Sequence, residues 1–299
     1  MVWHVVWAGG QSNSVGTNSQ TSGRPAWPTS DLVWMFGWGG RVKGKFAPAS
    51  APAHGEDDVG FSQTFANLLL PTLPDGHGVV IVNDGVGGAG FQDGRWDVPN
   101  GPLAQNAVAA TTALAAGVKP QFHNGTCKLH ATLWHQGEED AADNHADHHA
   151  SCCACLETDL GKLVDHFREV LPGATAGTPF IDGGMLPCWV DKVNGTSGVM
   201  EAIHALNTSR PCAGAADSRT FPDCFPGTHK PCGEPMHRSG VTGDVIHFNA
   251  TQAIIVGHQH FRAHQHAIKL TTVVPSARTK ACSNRGAALA PAVTQCGSV

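Results

Sequence analysis

The sequence predicts an α/β fold in which helices cover a parallel sheet. Three observations carry that expectation. Short apolar runs stand at 2–8, 78–83, 128–134, 178–185 and 211–216, the length of strands rather than of buried helices. Between them lie segments with helical periodicity, the alternation that parallel strands covered on both faces require. The chain has 299 residues, 41% hydrophobic and only 14% charged. That is long enough to bury a large core, and too poor in charge for a disordered chain or a coiled coil.

Taken in order, the first strand at 2–8 leads into a Gly- and Pro-rich stretch, 14–58, read as a long loop. Phe61, Phe65, Leu68 and Leu69 then form one helical stripe. Leu103, Ala107, Ala110 and Leu114 form a second, with Gly117 placed to end it. Leu156, Leu160, Leu163, Phe167 and Val170 make a third, stopped by Pro172-Gly173. A second Gly/Pro-rich loop is expected at 219–243. A last helix is expected at 250–269, with Ile254, Phe261 and Ile268 facing inward. No repeat or linker divides the chain. One domain is therefore expected over 1–270, with a Cys-containing tail, 271–299, packing back onto it.

Charge and composition exclude several partners. The formal net charge is −5, and no Lys/Arg stripe exists to hold nucleic acid. No apolar run approaches the roughly 18 residues a membrane span needs. Ten Cys and four N-x-Ser/Thr sequons, at Asn124, Asn194, Asn207 and Asn249, point to the secretory route, with a cytoplasmic location as the alternative. Met1-Val2-Trp3-His4 runs straight into the first strand, with no signal peptide in view. The three cysteines Cys212, Cys224 and Cys232 are expected to brace the loop that precedes the last motif.

The chemistry gathers in four segments, each following an apolar run or preceding a helix. Gly10-Gln11-Ser12-Asn13 follows the first strand, and a Ser there can be presented at the carboxyl edge of the sheet, where open α/β sheets place their ligands. Ser14 holds the last position of a would-be G-x-S-x-G elbow, which disfavours an α/β-hydrolase. Gly85-Val86-Gly87-Gly88 follows the second strand, where backbone N–H groups can face a developing oxyanion. Trp134-His135-Gln136-Gly137-Glu138-Glu139-Asp140 follows the third and offers a side-chain amide for the same purpose. Asp244-Val245-Ile246-His247 puts a carboxylate and an imidazole three apart, so the acid can hold one ring nitrogen and leave the other free as a base.

Together these segments resemble the carbohydrate-esterase branch of the SGNH (GDSL-like) hydrolases, the sialate O-acetylesterase and acetylxylan-esterase-like group. The likeness covers about residues 2–268, and Trp134-His135-Gln136-Gly137-Glu138 is its most specific part. It implies a flavodoxin-like three-layer α/β/α sandwich and hydrolysis of O-acetyl esters on sugars, without a cofactor or catalytic metal. It also implies roles. Ser12 is the nucleophile and His247 the base, with Asp244 as the orienting acid and Glu138 as its rival. Ser12, Gly88 and Gln136 form the oxyanion hole, Gln11 and Asn13 border the substrate, and Asn13 and Asn249 support the loops. Two residues depart from the group's pattern, Ser14 where Met is usual and Ala89 where Thr or Ser is usual. The sequon at Asn249 lies so close to His247 that it is expected to go unused.

Two rival readings stand beside this one. His145, His148, His149, Cys152, Cys153 and Cys155 crowd together, and His145/His149 and His260/His264 have the i, i+4 spacing of zinc ligands; the expectation is no metal site. A non-catalytic carbohydrate-binding relative would use Trp34, Trp38, Trp96 and Trp189 to stack on sugar rings.

Overall fold

The computed structural model describes residues 1–16, 30–37, 45–49, 60–116, 125–142, 152–185, 196–216, 236–238, 241–244, 248, 250–273 and 295–296. Its elements, in chain order, are β1 (Val2–Gly10), α1 (Ser12–Val15), β2 (Val33–Gly37), β3 (Lys45–Pro48), α2 (Phe61–Leu69), β4 (His77–Asn83), α3 (Pro102–Ala115), β5 (Gly125–His135), α4 (Glu138–Ala142), α5 (Cys152–Val170), β6 (Phe180–Gly183), α6 (Thr196–Ser209), β7 (Ala213–Ala216), β8 (Met236–Arg238), β9 (Val241–Asp244), α7 (Ala250–Val273) and β10 (Gln295–Cys296).

The main sheet runs β3-β2-β4-β1-β5-β6-β7. Every pair along it is parallel except β2–β3. The five expected strands, counted among themselves, stand in the order 2-1-3-4-5, which is the flavodoxin-like order. Two segments read as loops contain strands. Within 14–58, β2 pairs with β4 and carries β3 on its outer side; Val33, Met35 and Phe36 are buried there, so the hairpin widens the core. β3 ends in Pro48, which only an edge strand accommodates. Within 219–243 lies β8, which pairs with β9 in a separate two-stranded sheet. β10 pairs antiparallel with the first residues of β5.

Alternation along β1 explains the layers. Trp3, Val5 and Trp7 enter one core with α3, α5 and α6. Val6 and Ala8 enter the other with α2 and α7. The α5 stripe holds Leu156, Leu160, Leu163, Val164 and Phe167 buried, each contributing about 1.5–3 kcal/mol of transfer free energy. Leu68 of α2 and Val170 of α5 are only partly buried.

The inward face of α7 corrects the sequence reading in part: Phe261 packs on the core beside Phe65, as expected, and Ile254 is only partly buried. Ile268 is 41% exposed, and the buried stripe is Ala253, Val256, His260, His264 and Ala267. Size misleads here, because α7 lies close against α2. A methyl added at Gly257 would stand 2.5 Å from the Phe61 carbonyl oxygen, so small residues and flat imidazoles fill the contact. His260 lies over Phe61 with ring centroids 4.4 Å apart. Among the described residues, no helix is long and apolar enough to cross a membrane.

Candidate active site

In a 2-1-3-4-5 sheet, the loops leaving the first and third strands part to opposite faces and open a crevice at their carboxyl ends. Here that point lies between β1 and β5. The turn after β1 is laced into it. The Gln11 amide donates to the His135 carbonyl at 3.0 Å, and the Val86 amide donates to the Gly10 carbonyl at 3.1 Å. The Ser14 amide and hydroxyl both donate to the Gln11 carbonyl, at 2.9 and 2.6 Å. This sets Ser12 at the start of α1, 6% exposed. Gly87 faces it: a methyl on Gly87 would lie 3.8 Å from Ser12 Cβ.

Three tryptophans anchor the loops beneath the site. Trp7 and Trp134 stack at 6.2 Å, and Trp96 meets Trp134 edge-on at 4.7 Å. They belong to β1, β5 and the loop after β4, so one aromatic cluster fixes the roots of three of the four motif segments. Trp96 is wholly buried, which removes it from the set of possible sugar-stacking residues. Trp34 is partly exposed and donates to the Asp31 carbonyl; Trp38 and Trp189 lie outside the described residues.

The side chains flanking Ser12 face protein partners. Gln11 Oε1 accepts the Glu139 amide at 3.1 Å. Asn13 Nδ2 donates to Glu138 Oε1 at 2.6 Å, and Asn13 Oδ1 accepts the Phe248 amide at 2.9 Å. Glu138 Oε1 also lies 3.2 Å from His135 Nε2. Burial pushes the Glu138 carboxyl up, but the His135 imidazole and the hydrogen bonds from His135 and Asn13 outweigh it and hold the group below its ordinary value. Behind it, Asp182 at the end of β6 is fully buried. Its carboxyl is pushed well above the ordinary range, first by burial and then by the negative charge of Glu138.

Gly88 has φ +63°, and its carbonyl accepts the Arg95 guanidinium, which also holds Asp93. Gln136 Nε2 donates to Asp140 Oδ2 at 2.6 Å. Asp140 also receives the Phe91 and Gln92 amides. Burial pushes its carboxyl up, against these hydrogen bonds.

Of the candidate residues, Gln11, Ser12, Asn13, Gly88, Gln136 and Glu138 converge at the carboxyl ends of β1, β4 and β5. The Asp244 backbone closes β9 opposite Met236; its side chain and His247 lie outside the described residues. So do the side chains of the His/Cys group at 145–155. His260, the other candidate ligand on α7, is engaged by the Val256 and Trp134 carbonyls. Among the described residues, no three His, Cys, Asp or Glu side chains are arranged to hold a metal ion. Sequence reasoning assigned no role to His135, Asp140, Asp182 or Phe248. Asp140 and His135 stood inside a quoted motif, but Asp140 takes two of its partners from 48 and 49 residues away, and His135 is buried at the end of a strand.

A serine hydroxyl at the switch point, beside a Gly-rich turn and an amide-bearing turn, is equipped for acyl transfer, and the chain belongs by class to the carboxylic ester hydrolases. Its family follows from comparison with known proteins. The model of the family described as "Carbohydrate esterase, sialic acid-specific acetylesterase" matches residues 3–201, and the chain is a member of that family. Among solved structures, NanS superposes with a TM-score of 0.64 at 17% identity, covering 90% of this chain and 98% of that one. A protein from Arabidopsis thaliana gives 0.62 at 17% identity, covering 88% and 98%. A carbohydrate acetylesterase from Xanthomonas citri gives 0.59 at 18% identity, covering 92% of this chain and 58% of its own. These likenesses are of fold. No curated protein matches the sequence.

Proposed function

We propose that the chain is a serine esterase that removes O-acetyl groups from carbohydrates through an acetyl-enzyme intermediate. The observation that carries this is the Asn13–Phe248 hydrogen bond. It joins the residue after Ser12 to the residue after His247, and so ties the segment of the nucleophile to the segment of the base. In the reaction, Ser12 Oγ attacks the acetyl carbonyl while His247 takes its proton. The Ser12 and Gly88 N–H groups and the Gln136 amide receive the oxyanion. His247 then protonates the departing sugar oxygen and activates the water that releases acetate. Asp244 is read as the acid that holds His247. Glu138 is read as the support of Asn13, since its Oε1 already receives Asn13 and lies against His135.

Family membership supports an acetylated sugar as substrate; acetylated sialic acids and acetylated xylan are the two classes to separate. The cysteines and sequons support a place on the secretory route. The deciding experiment is hydrolysis of acetylated sialic acid, acetylated xylan and an aryl acetate by the wild type and by Ser12→Ala. We expect release of acetate that Ser12→Ala abolishes, whereas Gln136→Ala keeps a residue of it, since one oxyanion donor is worth about 10²–10³ in rate. Hydrolysis that survives Ser12→Ala overturns the serine mechanism, and a wild type inert on all three overturns the reading in favour of a carbohydrate-binding relative.

A further inference from the structure

We infer that Asp140 is a positioning residue that holds two of the three oxyanion donors, the Gly88 turn and the Gln136 amide, in one frame; this rests on the esterase reading above. Asp140 is 1% exposed. Its Oδ2 receives Gln136 Nε2 at 2.6 Å. Its Oδ1 receives the amides of Phe91 at 3.0 Å and Gln92 at 3.1 Å, at the end of the turn that contains Gly88. The Gln92 side chain returns to the Asp140 carbonyl at 3.3 Å. The approach is close enough to forbid a side chain between: a methyl on Gly90 would stand 2.7 Å from Oδ1. One buried carboxylate thus spans the loops that follow β4 and β5.

Its chemistry also sets a direction. An ionised carboxylate only accepts hydrogen bonds, so the Gln136 amide must turn its NH₂ toward Asp140. Gln136 Oε1 then faces away and has no hydrogen-bond partner among the described residues. The second N–H of the same NH₂ stays free for the oxyanion. A flipped amide would instead aim a carbonyl oxygen where negative charge develops, and would repel it. Asp140 therefore fixes the polarity of Gln136 as well as its place. An Asn at this position has both a donor and an acceptor, so it accepts either orientation of Gln136.

The test is Asp140→Asn, with Asp140→Glu, Gln136→Ala and the double variant Gln136→Ala/Asp140→Asn beside it. Each is measured for kcat and KM on an aryl acetate, for thermal unfolding, and for amide exchange by NMR. For Asp140→Asn we expect a folded protein whose kcat falls about 10²–10³-fold, the order lost with one oxyanion donor. Its KM should move less than about threefold, because the interaction lost belongs to the transition state. The Phe91 and Gln92 amides should exchange faster. The double variant should lose less than the product of the two single losses, since both disable the same donor. Asp140→Glu, which keeps an acceptor-only carboxylate, should recover part of kcat. Wild-type kcat in Asp140→Asn, multiplicative losses in the double variant, or a loss that only follows the unfolded fraction would each overturn the inference. If Ser12→Ala stays active, the esterase reading fails instead. The frame is then judged by exchange alone, and unchanged exchange at Phe91, Gln92 and the Gln136 side chain refutes it.

Discussion

The side-chain amide of Asn13 accepts the backbone N–H of Phe248 across 235 positions of sequence and donates, from its other end, to Glu138. One neutral amide thus joins the turn after β1, the start of α4 and the approach to α7. Asn13→Ala leaves a buried N–H and a buried carboxylate oxygen without this partner, at about 1–3 kcal/mol each. Asn13→Asp keeps an acceptor for Phe248 but sets a second carboxylate against Glu138. We expect both to lower Tm, Asn13→Asp the more. A Tm for Asn13→Asp equal to the wild type would show that the donation to Glu138 carries no weight.

Between the sheet and α7, imidazoles form a row. His4 Nε2 lies 3.0 Å from His77 Nδ1, and His4 Nδ1 lies 2.9 Å from His130 Nδ1. The His130 ring stands 5.0 Å from that of His264. Burial, aided by Lys128 and the neighbouring rings, lowers His4 to about 4 and His130 to about 2; burial alone lowers His264 to about 4. An unfolded imidazole titrates near about 6.5. Between those values the unfolded chain binds more protons than the folded one, so stability declines as pH falls from about 6.5 toward 4. Denaturant midpoints at pH 7 and pH 5 should differ clearly, and His264→Leu should narrow the gap. Equal midpoints at the two pH values would refute this account.

The α2–α7 contact makes a third prediction. Gly257→Ala gains helix propensity of about 1 kcal/mol. It also drives a methyl toward the Phe61 carbonyl and Thr64, and overpacking typically costs about 1–3 kcal/mol. We expect a lower Tm for Gly257→Ala and a still lower one for Gly257→Val. A higher Tm in the alanine variant would mean that the two helices part easily.

The central strands β1, β4 and β5 were legible because their buried stretches, Val5–Ala8, Val79–Val82 and Ala131–Trp134, are near-continuous apolar runs. Their carboxyl ends were legible too, so the turns that carry Ser12, Gly88 and Gln136 could be located from the sequence. The β2–β3 hairpin was hidden, because five apolar residues at 32–36 stand in a stretch where Gly and Pro read as loop. The face of α7 was misread because large side chains signal burial only where neighbours leave room for them. Asp140 was passed over for a different reason. A carboxylate beside Glu138 and Glu139 reads as helix-start charge, while its partners Phe91 and Gln92 lie 49 and 48 residues away. Local patterns do not report contacts of that range.

The place of β1 in the middle of the sheet has a consequence for how the molecule is made. Both of its neighbours follow it in the chain: β4 ends at Asn83 and β5 at His135. The turn bearing Ser12 is made before both of them, and it must wait for Phe248 before the hydrogen bond from that residue to Asn13 can close. A nascent chain stalled before that residue therefore holds the serine in an unfinished setting.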